Sequence, residues 1–232
     1  MPYKEVTSNA TITLTEKSNM LEEVAVTSKS KKLKRQILIP EKHPGNIFGG
    51  DYGDIRLLYD LGGNTYGVDE STNIVNVSKA VYIPNEKGYE NAVITKIILN
   101  SADREIKGDT KYIPFRVNLM TYDTVAKLPK DKIFTEDLLI GKKRGQTIEI
   151  DLNKIELVDF PKEGICVMVS VYHTEYYNNG GFNPPAFDAA NNNLSGFREY
   201  STGRSIGNEW EEQGYSKDRL QCFNWGIEIE IP

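Results

Sequence analysis

Cysteine and histidine are scarce: two of each in 232 residues. That leaves too few ligands for a disulfide scaffold or a structural zinc site. His43 and His173 stand 130 positions apart, and no H-E-x-x-H or paired C-x-x-C occurs. Cys166 and Cys222 each lie in a strand-like run, either as small buried hydrophobes or as a bridge between two strands. Long apolar runs are missing too: no window approaches the roughly 18 residues of a membrane-spanning helix. The start, MPYKEVTSNA, has no apolar stretch of the signal-peptide kind. Helical periodicity is weak, confined to a possible two turns over 54–61 (DIRLLYDL) and an ambiguous 133–140 (IFTEDLLI). Without crossover helices a parallel sheet is disfavoured, so antiparallel pairing is expected.

A basic surplus is also lacking. Net charge is −5, and five of the 28 basic residues sit together at Lys29, Lys31, Lys32, Lys34 and Arg35. Without them 23 basic residues face 33 acidic ones, a balance of −10. Such a body has no broad footprint for phosphate backbones, which argues against nucleic acid as a partner.

Strand signal is abundant. Residues 11–15, 79–83, 92–99, 115–122, 147–152, 165–172 and 222–231 are rich in β-branched and aromatic side chains, punctuated by Gly, Pro, Asn or Asp. In the last run Phe223, Trp225, Ile227, Ile229 and Ile231 share one face; Cys222, Asn224, Gly226, Glu228 and Glu230 share the other. That alternation predicts one core face and one solvated face. Ile148, Ile150 and Leu152 alternate in the same way with polar neighbours. Residues 165–172 are apolar on both faces, as a central strand would be. These patterns predict an all-β protein, an antiparallel β-sandwich of jelly-roll-like kind, over residues 37–232. The stretch KSKKLKR offers almost no apolar face, so 29–36 is expected to be a solvated basic linker.

Residues 12–28, ITLTEKSNMLEEVAVTS, resemble the closing segment of the carboxypeptidase-D regulatory-like domain of Bacteroidetes surface and outer-membrane proteins, and PYKEV resembles the strand before it. NEKGYENAVITKIILN, IPFRVNLMTYD, GQTIEIDLNKIELVDFPKEGICVMVSVY and FNWGIEIEI are similar to the β-sandwich that follows such modules. The resemblance implies that 1–28 is a remnant of the regulatory-like module. It further implies that the full-length protein is extracytoplasmic, in the periplasm or at the outer-membrane surface. Its motifs are strand and turn motifs, so they specify fold better than chemistry.

The search for chemistry turns up one decoy. GRSIG at 203–207 matches G-x-S-x-G, but a nucleophile elbow needs a histidine later in the chain, and both histidines precede Ser205. GGDYGD at 49–54 and FDAANNN at 187–193 place Asp51, Asp54 and Asp188 in turn-prone stretches. Calcium is possible there, and Asx turns explain the composition as well. No other cofactor is expected. Glu209, Glu211 and Glu212 beside Trp210 are the carboxylates a glycan hydrolase would use. Between 172 and 215 aromatic rings are interleaved with amides and arginines. From that stretch Tyr176, Tyr177, Asn178, Asn179, Arg198 and Trp210 are the candidate ligand-binding residues. Flat rings flanked by polar donors suit sugars and protein partners alike; the same rings could instead anchor a long loop. The expected function is a non-catalytic binding or accessory module of the cell envelope, for glycan or an envelope protein. A glycan-acting hydrolase and a structural spacer are the alternatives.

Overall fold

The run ICVMVSV shows how the fold is set: every side chain from Ile165 to Ser170 is buried, so this strand has cover on both faces. The computed structural model describes residues 33–41, 54–56, 78–101, 112–143, 145–171, 186–191, 196–202, 209–212 and 221–232. The chain divides into two compact units, Met1–Lys31 and Lys32–Pro232, and all described residues belong to the second. The expected module remnant at 1–28 and the strand at 11–15 lie outside the described residues.

The strands are β1 (Lys34–Leu38), β2 (Asp54–Arg56), β3 (Ser78–Ile83), β4 (Val93–Leu99), β5 (Ile113–Asp123), β6 (Leu128–Lys132), β7 (Leu138–Lys142), β8 (Ile148–Asp151), β9 (Val158–Asp159), β10 (Ile165–Val171), β11 (Ala186–Asn191), β12 (Arg198–Thr202), β13 (Trp210–Glu212), β14 (Gln221–Phe223) and β15 (Trp225–Ile231). One sheet has the order β1-β15-β4-β8, with β9 also on β4; the other runs β13-β12-β3-β10-β5-β6, with β7 also on β5. A small sheet, β14-β11-β2, completes the set. Every pairing among the described residues is antiparallel. The chain passes repeatedly between the two large sheets, the jelly-roll-like habit that joins them into one sandwich.

Between the sheets lies a single core. Val81, Ile83, Phe115, Val117, Leu119, Ile165, Val167 and Val169 come from the seven-stranded sheet; Ile94, Ile97, Leu99, Ile148, Ile150, Trp225, Ile227 and Ile229 come from the other. The expected burial of Ile227 and Ile229 is therefore observed. The core also holds charge: Lys79 Nζ lies 3.6 Å from Glu199 Oε1, with both side chains fully buried.

Three expectations are corrected and the ambiguity over 133–140 is resolved. The linker expected over 29–36 gives way at Lys34, because Lys34–Leu38 pairs residue for residue with Ile231–Ile227. Basic side chains at an edge strand keep their charge in water while the backbone pairs; Arg35 meets Glu230 at 2.8 Å. The second face of the last strand is not solvated throughout, since Cys222, Asn224 and Gly226 are buried. Asn224 Nδ2 donates to Pro40 O at 2.7 Å. A Cβ at Gly226 would meet Leu38 O and lie 2.6 Å from Ile39 Cβ. Glycine there lets residues 38–40 cross directly over β15. Asp54–Arg56 is strand, not the start of a helix, because β11 supplies its partners. Residues 133–136 bend and Leu138–Lys142 is strand β7, which pairs with β5. Both cysteines are free and buried.

Candidate functional site

The outer face of the seven-stranded sheet is built on small and flexible side chains. Ala80, Cys166, Met168 and Met120 form a buried floor together with Tyr200, and Tyr82, Tyr122, Leu128 and Trp210 pack over it half-buried. The arrangement starts at Gly164. Its N–H closes a turn on Pro161 O at 3.1 Å, and its φ is +80°, a conformation glycine adopts without strain. A Cβ there would lie 2.5 Å from Ile83 O and 2.7 Å from the Tyr82 ring. The bare glycine lets Tyr82 from β3 and Tyr122 from β5 meet across β10, ring centroids 3.9 Å apart at 25°.

The tyrosine hydroxyls are occupied. Tyr82 OH donates to Glu163 O at 2.9 Å, and the hydroxyls of Tyr122 and Tyr200 share a hydrogen bond of 3.0 Å. Burial, with Tyr122 beside it, pushes the Tyr82 phenol up to about 12. Burial first, and then the bond to Tyr122, pushes Tyr200 up as well. Desolvation also pushes the Cys166 thiol up, so the floor holds a protonated, inert thiol and not a nucleophile. This cluster is a clasp, and its half-buried margin at β13 carries Trp210.

There the register of β12 and β13 sets Thr202 opposite Trp210 and Tyr200 opposite Glu212. Trp210, Glu212 and Arg198 thus share the outer face, with Arg198 Nε 3.4 Å from Glu212 Oε1. Both charged side chains are about half exposed, at 47% and 50%. Arg198 also donates to Phe197 O at 2.9 Å. Arg198 and Trp210 therefore lie on one face of the sheet, with Glu212 between them. Tyr176, Tyr177, Asn178 and Asn179 lie outside the described residues, as do His43, His173 and GRSIG. Phe187, Phe197 and Tyr200, members of the same aromatic stretch, are buried and serve the fold. Sequence reasoning passed over Tyr82, Tyr122 and Gly164. Their signal was a Gly in a turn directly before the central strand, with a Tyr near the end of each neighbouring strand.

The opposite outer face has another character. Arg35 meets Glu230 at 2.8 Å, and Lys96 meets Glu149 at 2.9 Å and Glu228 at 3.8 Å. Of the hydrolase carboxylates, Glu212 shares the Trp210 face, whereas Glu211, one residue earlier on β13, sits at the alternate position opposite Ser201. Register does join the two acidic stretches, setting Asp54 opposite Asp188; Asp51 lies outside the described residues. No helix among the described residues is long and apolar enough to cross a membrane.

No protein-family model matches the chain, and no curated protein matches it. Among solved structures it is similar to the cysteine protease and lectin-like domains of Cwp84, a surface layer associated protein of Clostridium difficile, at 12% identity and a TM-score of 0.45. That likeness covers 68% of this chain and 32% of the other.

Proposed function

We propose that the sandwich is a non-catalytic binding module of the cell envelope that holds glycan at the Trp210 edge of its aromatic outer face. One observation carries this reading: Trp210 is left half-buried on the outer face with Glu212 two positions along its strand, and Arg198 paired to Glu212 beyond it, while the tyrosines behind it have their hydroxyls bound. An aromatic body with polar groups at its margin suits a sugar ring, apolar on its faces and hydroxylated on its edges. The extracytoplasmic setting rests on the resemblance of residues 12–28 to an envelope module.

A hydrolase is less favoured because neighbouring positions on a strand point to opposite sides, which separates Glu211 from Glu212.

A glycan array with the wild-type protein and Trp210→Ala tests the reading. Binding that falls about tenfold in the variant is expected. No binding to any glycan favours the spacer. Release of reducing sugar that disappears in Glu209→Gln or Glu212→Gln makes the protein a hydrolase.

A further inference from the structure

We propose that the chain pairs with a second copy of itself along strand β7, continuing the seven-stranded sheet across a two-fold axis. The proposal stands apart from the glycan reading. Natural sheets guard their edges with charge, proline or short strands. Among the described residues, the other edges of the two large sheets follow that rule, with Arg35 on β1, Glu149 on β8, Asp159 on β9, Pro129 and Lys130 on β6 and Glu212 on β13. Strand β7 does not. Among the described residues it pairs with β5 alone. Leu138–Gly141 has neither charge nor proline, and Lys142 is turned into the core. Its outer surface is open: Leu139 is 59% exposed and Tyr112 is 56% exposed. Gly141 between them is exposed as well, and a glycine has only backbone to expose.

A second copy is the occupant because the sequence around β7 is complementary to itself when run antiparallel about Ile140. That register sets Leu139 opposite Gly141, and Asp137 opposite Lys143, twice by symmetry. Leu138, Ile140 and Lys142 then stay on the inner face in both copies, and their neighbours stay on the outer one. A Cβ at Gly141 would lie 3.4 Å from Tyr112 Cδ1, so the Leu139 that arrives opposite the bare glycine finds an aromatic ring to cover. Lys143 Nζ already lies on this face, 5.1 Å from the centre of the same ring. Moving the register by two residues either way sets Asp137 opposite Gly141 or Leu139 opposite Lys143 and loses the match. The charges at each end of the seam are Lys132, Glu136, Asp137 and Lys143 of the second copy, which sum to zero. Asp137 Oδ1 accepts from Asn118 Nδ2, and both its oxygens accept from Lys132 Nζ, all at 2.8 Å. A carboxylate has about four acceptor sites, so Oδ2 has room for the incoming ammonium. Arg116, opposite Leu139 on β5, lies one strand in from the seam. Trp210 is at the far edge of the sheet and is left open in each copy.

One strand pair is a small interface, so the association should be reversible and concentration-dependent. Sedimentation velocity on the full chain, from about 10 μM to about 1 mM, should show a shift from one chain mass towards two. Leu139→Lys puts a charge on the bare edge and should weaken association tenfold or more. Its thermal midpoint at the lowest concentration should match wild type, because Leu139 is exposed. Lys143→Glu sets like charges opposite each other and should weaken association several-fold. The register is read by mixing Leu139→Cys with Gly141→Cys under mild oxidation. Directly opposite positions lie about 4.5–5.5 Å apart, within disulfide reach, so the mixture should cross-link faster than either variant alone. The native cysteines, both buried, serve as the unreacted background. A single chain mass at every concentration overturns the proposal. So does a dimer that survives Leu139→Lys and Lys143→Glu unchanged, or cross-linking of the mixture no faster than of its components.

Discussion

The sandwich turns two unlike faces outward. On the sheet that contains β15, the outer side chains include Arg35, Glu230, Glu228, Lys96 and Glu149, joined in ion pairs. On the sheet that contains β10, the outer side chains are Tyr82, Tyr122, Tyr200, Met120, Cys166 and Met168. Both sheets bury their inner faces in the same core, so the core does not explain the difference. The charged face is complete against water as it stands. The aromatic face removes its own floor from water and needs shape to do so, which makes it the more costly of the two to disturb.

Gly164→Ala should therefore be the most damaging change. The new Cβ would collide with Ile83 O and the Tyr82 ring at a residue whose φ is +80°. Overpacking together with a left-handed backbone costs about 2–4 kcal/mol. Chemical denaturation should show that loss, and near-ultraviolet circular dichroism should show Tyr82 and Tyr122 moving apart. A variant as stable as the wild type would mean that the clasp is loose and the contrast between the faces overstated.

The two faces should also fail at opposite ends of the pH scale. Burial holds the Tyr82 phenol at about 12, above its ordinary value of 10, so the folded chain keeps a proton that the unfolded chain sheds first. The stability this contributes is whole below pH 10 and drains away as pH rises towards 12. On the charged sheet, the Asn153 side chain and backbone and Lys154 hold the Asp151 carboxyl below its ordinary range. That contribution is present above the ordinary carboxylate value and is lost as pH falls. Melting across the alkaline range should show Tyr82→Phe losing stability less steeply than wild type. Parallel curves would mean that the phenol is no more buried in the fold than in the unfolded chain.

Period-two patterning made β15 and β8 readable, because each has one face in the core and alternation records that. It said less about Asn224 and Gly226, since residues 38–40 cover them from 184 positions away for Asn224. Strand β1 was hidden by Lys34, Arg35 and the lysines that precede them in sequence: composition reports solvation, but an edge strand is solvated on one side and paired on the other. DIR at 54–56 read as helix because an isolated apolar step carries no period, and β11 decides its state. At the site, Arg198 and Trp210 were legible as polar and aromatic residues in one stretch. The tyrosine clasp was not, because Tyr82, Tyr122 and Tyr200 come from three strands and meet only through the register of β3, β10, β5 and β12.

The charged face should answer most weakly. Lys96 Nζ holds Glu149 at 2.9 Å and Glu228 at 3.8 Å, and Lys96→Met removes both pairs at once. Glu228 keeps the Thr95 hydroxyl at 3.0 Å, and the methionine retains most of the aliphatic stem that lies on β4. Exposed pairs gain little because water already solvates both partners. The thermal midpoint should therefore barely move at physiological salt, with a small fall emerging at low salt, where Glu149 and Glu228 are less screened from each other. A loss comparable with that of Gly164→Ala would show that the ion-pair ladder holds the sheet together as firmly as the rings do, and the two faces would then differ in chemistry but not in structural weight.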